Sequence, residues 1–219
     1  EVYDFEKWAV GSAMSNVSIS TDGNYLSFHQ RLSRESDPVL KIFNSDDLSG
    51  DPYVLGGETL EITYSSWIGP EELIVVFRGR ARDNIEGFNR GVYETKLALF
   101  NMSTKKFTPL NDRGIGSAAS FSIGLENILP YDDNKILISY NEYKRGSSYR
   151  ATSYYKYNLK TGSKSLVLKG REDYYGIIFD YYGNPRYASG FDVGTGVYSR
   201  YYRNVGDRSW KEYYSESEN

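Results

Sequence analysis

Apolar residues in this chain recur every second position over short runs, or fill a run of four to eight residues, and each run stops at a turn signal. Runs of this kind occupy residues 16–20, 25–32, 39–43, 53–55, 62–67, 72–77 and 96–100. They continue at 135–140, 153–157, 165–168, 177–179, 186–188 and 197–202. A period of two places alternate side chains on opposite faces of a sheet, so each run reads as a strand. No window keeps an apolar period of 3.6 residues over three turns. The nearest approach to a helix, residues 83–87, is too short to count as one.

The strands recur as a unit. KIFN ends at Asn44, LALFN at Asn101, YYKYN at Asn158 and RYYRN at Asn204, at intervals of 57, 57 and 46 residues. A polar turn follows each asparagine, and a further short strand ends near Leu55, Leu110, Leu168 and Tyr214. A first hairpin precedes each one, turning at Asp22-Gly23, Gly69-Pro70, Asp132-Asp133 and Tyr182-Gly183-Asn184. Four antiparallel strands in a repeat of this length are the signature of a propeller blade. A sandwich of meanders is the alternative, but its strands would not repeat the same turn chemistry at the same offset. The expected architecture is all-β, a β-propeller of about four blades. A lead-in at 1–14 precedes blades at 15–57, 60–112, 120–170 and 173–215. Propellers usually carry more blades, and the polar tail 215–219 offers no closing strand, so the ring is expected to be incomplete.

Composition narrows the chemistry. Tyrosine occurs 22 times in 219 residues, beside 10 phenylalanines and 3 tryptophans, which suits half-buried sheet surfaces. Cysteine is absent, so disulfides, Cys-ligated zinc and thiol nucleophiles are excluded. His29 is the sole histidine; any His-based triad must use it, and a site with two or more His ligands cannot form. A net charge of −3 carries no basic excess for nucleic acid and no polybasic tail for an anionic membrane. No apolar run approaches the length of a membrane span. The chain begins at Glu1 rather than Met, which reads as a processed or cut form.

The run Ser20-Thr21-Asp22-Gly23-Asn24-Tyr25-Leu26-Ser27-Phe28, its lead-in, and the fourth repeat (177–191 and 197–214) resemble the propeller of bacterial prolyl-oligopeptidase-family serine peptidases. The resemblance spans nearly the whole chain but only the front part of such a protein. It implies a non-catalytic segment that gates peptide access to a C-terminal α/β-hydrolase domain, in a periplasmic or secreted peptidase without a cofactor. That hydrolase domain and peptides are the implied partners; a stand-alone propeller module for protein interaction is the alternative. No Gly-x-Ser-x-Gly elbow occurs in this chain, so no catalytic serine is expected.

Weaker signals have plainer readings. Gly194-Thr195-Gly196 is a turn, Asp132-Asp133-Asn134 a hairpin tip rather than a calcium loop, and no metal site is expected. Sequons stand at Asn16 and Asn101, within or beside strands. Long loops are expected at 33–38, 79–95, 142–150 and 190–196, with connectors at 111–119 and 170–173. The longest carries Arg78, Arg80, Arg82 and Arg90, the candidate surface for a hydrolase domain or a peptide carboxylate. If the ring is incomplete, its terminal sheets leave aromatic faces open. Self-association is then expected through a terminal blade, with Tyr198, Tyr201, Tyr202, Tyr213 and Tyr214 exposed.

Overall fold

The computed structural model describes residues 13–33, 36–56, 60–82, 92–110, 123–132, 134–141, 151–171 and 173–217. Among them are sixteen strands and no helix. The chain divides into two compact units, Glu1–Leu110 and Asn111–Asn219.

The first unit holds two sheets. One is built from β1 (Met14–Ile19), β2 (Tyr25–Gln30), β3 (Val39–Asn44) and β4 (Tyr53–Leu55). The other is built from β5 (Leu60–Trp67), β6 (Glu72–Arg82), β7 (Val92–Asn101) and β8 (Lys106–Pro109). The second unit holds β9 (Ile123–Asn127), β10 (Lys135–Asn141), β11 (Thr152–Asn158) and β12 (Lys164–Leu168), then β13 (Tyr175–Phe179), β14 (Pro185–Asp192), β15 (Val197–Tyr202) and β16 (Lys211–Ser217). Each group of four pairs in sequence order as one antiparallel sheet, the meander of a propeller blade.

The recurring asparagine has a physical cause. Asn44, Asn101 and Asn158 each end the third strand of a sheet, paired with the first residue of the second: Tyr25, Glu72 and Lys135. Each side-chain Oδ1 then accepts hydrogen bonds from the turn that follows. The donors are the N–H of Asp46 (3.0 Å), the N–H of Thr104 (2.9 Å), and the N–H groups of Lys160 (3.0 Å) and Thr161 (2.9 Å). An amide side chain thus closes the turn that returns the chain into the edge strand. Asn204 departs from this. It lies two residues past β15, and Asp207 supplies the acceptor for its turn. The fourth sheet keeps the register but changes the turn chemistry.

The hairpin tips follow the sequence. Gly23 and Gly183 adopt φ of +81° and +76°, closing the first hairpins of the first and fourth sheets. Several expected loops are strand instead. β6 and β7 run through 79–82 and 92–95, because the ladder continues past Phe77–Lys96 to Arg82–Val92. Of the stretch 190–196, residues 190–192 are strand and 193–196 form a tight turn of four residues, held by the Asp192 carboxylate accepting from the N–H groups of Gly194 (2.8 Å) and Thr195 (3.2 Å). The polar tail also pairs: β16 extends to Ser217, for an edge strand needs only backbone partners. β9 escaped the pattern because IGLEN barely alternates. The helix chance at 83–87 and the loops at 111–119 and 142–150 lie outside the described residues.

Within the first unit the two sheets pack face to face. Leu40, Ile42 and Leu55 meet Ile62, Trp67, Leu73, Val75, Phe100 and Met102 in one buried cluster. Trp67 stacks on Tyr25 at 5.7 Å and donates its Nε1–H to Ser27 Oγ at 2.9 Å, so the ring is buried without stranding its polar edge. Tyr53 stacks on Phe100 at 5.5 Å, and Lys105 Nζ lies 4.3 Å from the Tyr53 ring centre. Within the second unit Tyr154 meets Phe179 at 4.8 Å, and Gly183 sits so close to Leu129 and Lys156 that a Cβ would approach them within 3.1 and 3.2 Å.

Candidate functional site

Three of the four arginines chosen from the sequence lie on a strand rather than a loop. Arg78, Arg80 and Arg82 lie on strand β6; Arg90 lies outside the described residues. Arg78 is engaged: its guanidinium is 4.2 Å from the Tyr93 ring centre and 4.0 Å from the carboxylate of Glu61, its ladder partner. β6 and β7 take in residues 79–82 and 92–95 of the stretch expected to be loop.

Among the described residues, His29 makes the one arrangement resembling hydrolytic machinery. Its Nε2 lies 2.9 Å from Ser65 Oγ, the spacing of a serine and its base. Both side chains are almost wholly buried between the first two sheets. Asn16 adds a third polar group beside them. A β-bulge between Ser15 and Ser18 and a left-handed φ of 52° send its amide Nδ2 to the Ser65 carbonyl (2.6 Å) and Ser65 Oγ (3.0 Å). Burial pushes the His29 pKa below the usual histidine value. In a neutral imidazole Nε2 accepts from the serine hydroxyl in one tautomer and donates to its oxygen in the other. No surface reaches the pair, so it works as a polar seam between blades. The same contacts occupy the Asn16 nitrogen that glycosylation would need.

An open concavity of about 480 Å³ lies on the outward face of β13–β16. Tyr175, Tyr198, Tyr213 and Tyr214 line it, with Arg200 and Glu216. The Tyr214 hydroxyl donates to Glu216 at 2.6 Å, and this bond to a carboxylate raises the phenol's pKa. Tyr187 and Ile178 extend the exposed surface. Tyr198, Tyr213 and Tyr214 are exposed as the sequence suggested, and Tyr202 is half-buried. Tyr201 is on the opposite face, edge-on to Tyr174 at 5.0 Å, because it alternates with Arg200 and Tyr202.

No cluster of three metal-ligating side chains occurs among the described residues. At the tip expected as a hairpin turn, Lys135 and Lys156 each hold the Asp132 carboxylate at 2.7 Å and keep its pKa low.

No protein-family model matches the sequence, and neither does any curated protein. Solved structures do share the fold. An acylaminoacyl peptidase from Pyrococcus horikoshii superimposes with a TM-score of 0.54 at 14% identity, over 92% of this chain and 32% of the peptidase. The β-propeller domain of the trilobed protease from Pyrococcus furiosus gives 0.51 at 11% identity, over 89% of this chain and 56% of that one. An oligogalacturonate lyase crystallised with manganese gives 0.56 at 12% identity, over 94% and 55%. The fold is that of β-propeller blades, and the chain spans from about a third to little over half of these structures.

Proposed function

We propose that this chain is a non-catalytic propeller segment of a serine peptidase resembling the prolyl oligopeptidase family. In that role its blades would screen peptides by size before they reach a hydrolase domain outside these 219 residues. The observation that carries the reading is the four-sheet meander in a chain covering only a third of a peptidase of like fold. The sequence motifs around Asp22-Gly23 and the fourth repeat support the family, and the lack of a Gly-x-Ser-x-Gly elbow supports a non-catalytic role. Arg80, Arg82 and Arg90 remain proposed contacts to the hydrolase domain or to a peptide carboxylate; Arg78 joins them only by leaving Glu61 and Tyr93.

The exposed tyrosine face of β13–β16 favours a second reading, a stand-alone interaction module. The lyase of the same fold is a reminder that blades serve unrelated chemistries. Activity on the isolated chain tests the non-catalytic claim. The purified protein should leave peptide anilides and esters intact and take up no fluorophosphonate label. Labelling of one serine, abolished by its change to alanine, overturns the reading.

A further inference from the structure

Ser65 presents two oxygens to the Asn16 amide, its backbone carbonyl at 2.6 Å and its Oγ at 3.0 Å from Nδ2. A carbonyl only accepts, so the amide turns its NH2 group this way and cannot be flipped. The same Nδ2 lies 3.4 Å from His29 Nε2. A proton on Nε2 would set a donor against a donor. A lone pair there avoids the conflict. Ser65 Oγ–H then donates to Nε2 at 2.9 Å while its oxygen accepts from Asn16. The imidazole proton therefore belongs on Nδ1.

β1 leans on this cluster. It is an edge strand of its sheet, and none of its side chains is fully buried. Asn16 ties it to Ser65 on β5. To do so Asn16 holds a left-handed φ of 52° beside a β-bulge, a conformation that costs energy for a residue with a side chain and persists while its contacts hold it. The larger contact between the two sheets is the apolar cluster that includes Leu40, Ile42, Trp67 and Phe100.

Among the described residues no carboxylate meets the imidazole, and burial opposes its charged form. β1 carries no titratable side chain. On β2 Tyr25 shares the His29 face and stacks on Trp67, and Arg31 follows the strand as an exposed like charge. On β3 Lys41 alternates away from Leu40, the ladder partner of His29. On β4 Tyr53 stacks on Phe100. On β5 and β6 Glu61 faces Arg78 at 4.0 Å, Tyr64 is exposed, and Glu72 alternates away from buried Leu73.

We propose that Asn16, His29 and Ser65 form a proton-operated latch on β1, closed while Nε2 keeps its lone pair. Uptake of a solvent proton at Nε2 forms one N–H bond, displaces the Ser65 hydroxyl hydrogen from that nitrogen, and sets the new N–H against the Asn16 amide. Asn16 then leaves its left-handed position and β1 loosens, while the apolar cluster keeps the two sheets together. The latch belongs to the first unit and stands apart from the peptidase reading.

NMR of the 219-residue chain tests it, since a sole histidine gives unambiguous ring signals. Long-range proton–nitrogen spectra at about pH 7.5 should show Nδ1 protonated and Nε2 bare. Amide exchange in β1, corrected for its intrinsic dependence on pH, should speed up about tenfold from about pH 7.5 to about pH 5, with β3 and β6 unchanged. His29→Gln should hold β1 exchange level over that range. Asn16→Gly suits the left-handed φ, removes the opposing donor, and should raise the His29 pKa by about half a unit or more. A proton on Nε2 at neutral pH overturns the proposal. So does a β1 exchange rate that ignores pH, or acceleration of all strands together, which is global unfolding. An unchanged or lowered pKa in Asn16→Gly also overturns it, for then Asn16 does not oppose the proton. The tautomer and exchange readings use the native protein and decide the matter even where a variant fails to fold.

Discussion

His29 is the group that gives this protein a pH response near neutrality. It is the sole histidine, and its neutral form is the one that burial favours. The folded pKa lies below the unfolded value of about 6.5, so the unfolded chain takes up more protons as pH falls through that value. Stability is therefore full above about pH 7 and declines as pH drops toward the folded pKa. Urea midpoints measured from pH 7.5 to 5 should fall for the native protein and lose most of that slope in His29→Gln. An unchanged slope in the variant would contradict the buried seam. The asparagines supply a second residue-scale prediction. Asn158→Ala strips the acceptor from two backbone N–H groups and should cost about 1 kcal/mol in denaturant unfolding. Asn204→Ala removes only an exposed donor to Asp207 and should cost about half of that or less. Equal losses would mean that the repeated asparagine does not work through its turn.

At the scale of strands and turns, two glycines of like conformation separate backbone strain from crowding. A side chain at Gly23 meets open space, whereas one at Gly183 meets Leu129 and Lys156. Gly23→Ala should cost about 1 kcal/mol from the left-handed φ alone, and Gly183→Ala clearly more, because the contact between the third and fourth sheets must give way. Thermal unfolding of the two variants checks the order. Such turns were legible in the sequence because Asp22-Gly23 and Gly183-Asn184 carry chemistry that only a tight turn uses. The strands were legible where alternation is strong, as in β11, whose TSYYKYN buries every second residue. β9 and the ends of β6, β7 and β16 were not, because there the ladder continues on backbone hydrogen bonds that no side-chain pattern records. The His29–Ser65–Asn16 seam was half legible. The lone histidine stood out in the sequence, but its serine partner is 36 residues away on another sheet, and the bulge that aims Asn16 has no sequence mark. Arg78, Arg80 and Arg82 read as loop for the same reason as the strand ends, since a charged run looks like loop even when it pairs.

For the whole molecule, the account rests on a repeated blade whose register holds through the four sheets and whose turn chemistry changes in the fourth. Blades of this kind are shared by peptidases and a lyase, so fold alone does not choose the chemistry. What chooses is the company the blades keep. In the peptidase reading the open faces are covered, and the serine supplied, by chain beyond these residues. In the stand-alone reading neither exists. Trp67 offers a check on the blade contact itself. Trp67→Ala removes the buried ring, its stack on Tyr25 and its bond to Ser27, and should cost about 3–5 kcal/mol, read as a large drop in the unfolding midpoint. The most direct test of the central claim is to sequence the coding DNA beyond the codon for Asn219. A peptidase propeller requires an open frame encoding more strands of the same repeat and then a Gly-x-Ser-x-Gly elbow. A stop codon there, or a frame without that elbow, contradicts it.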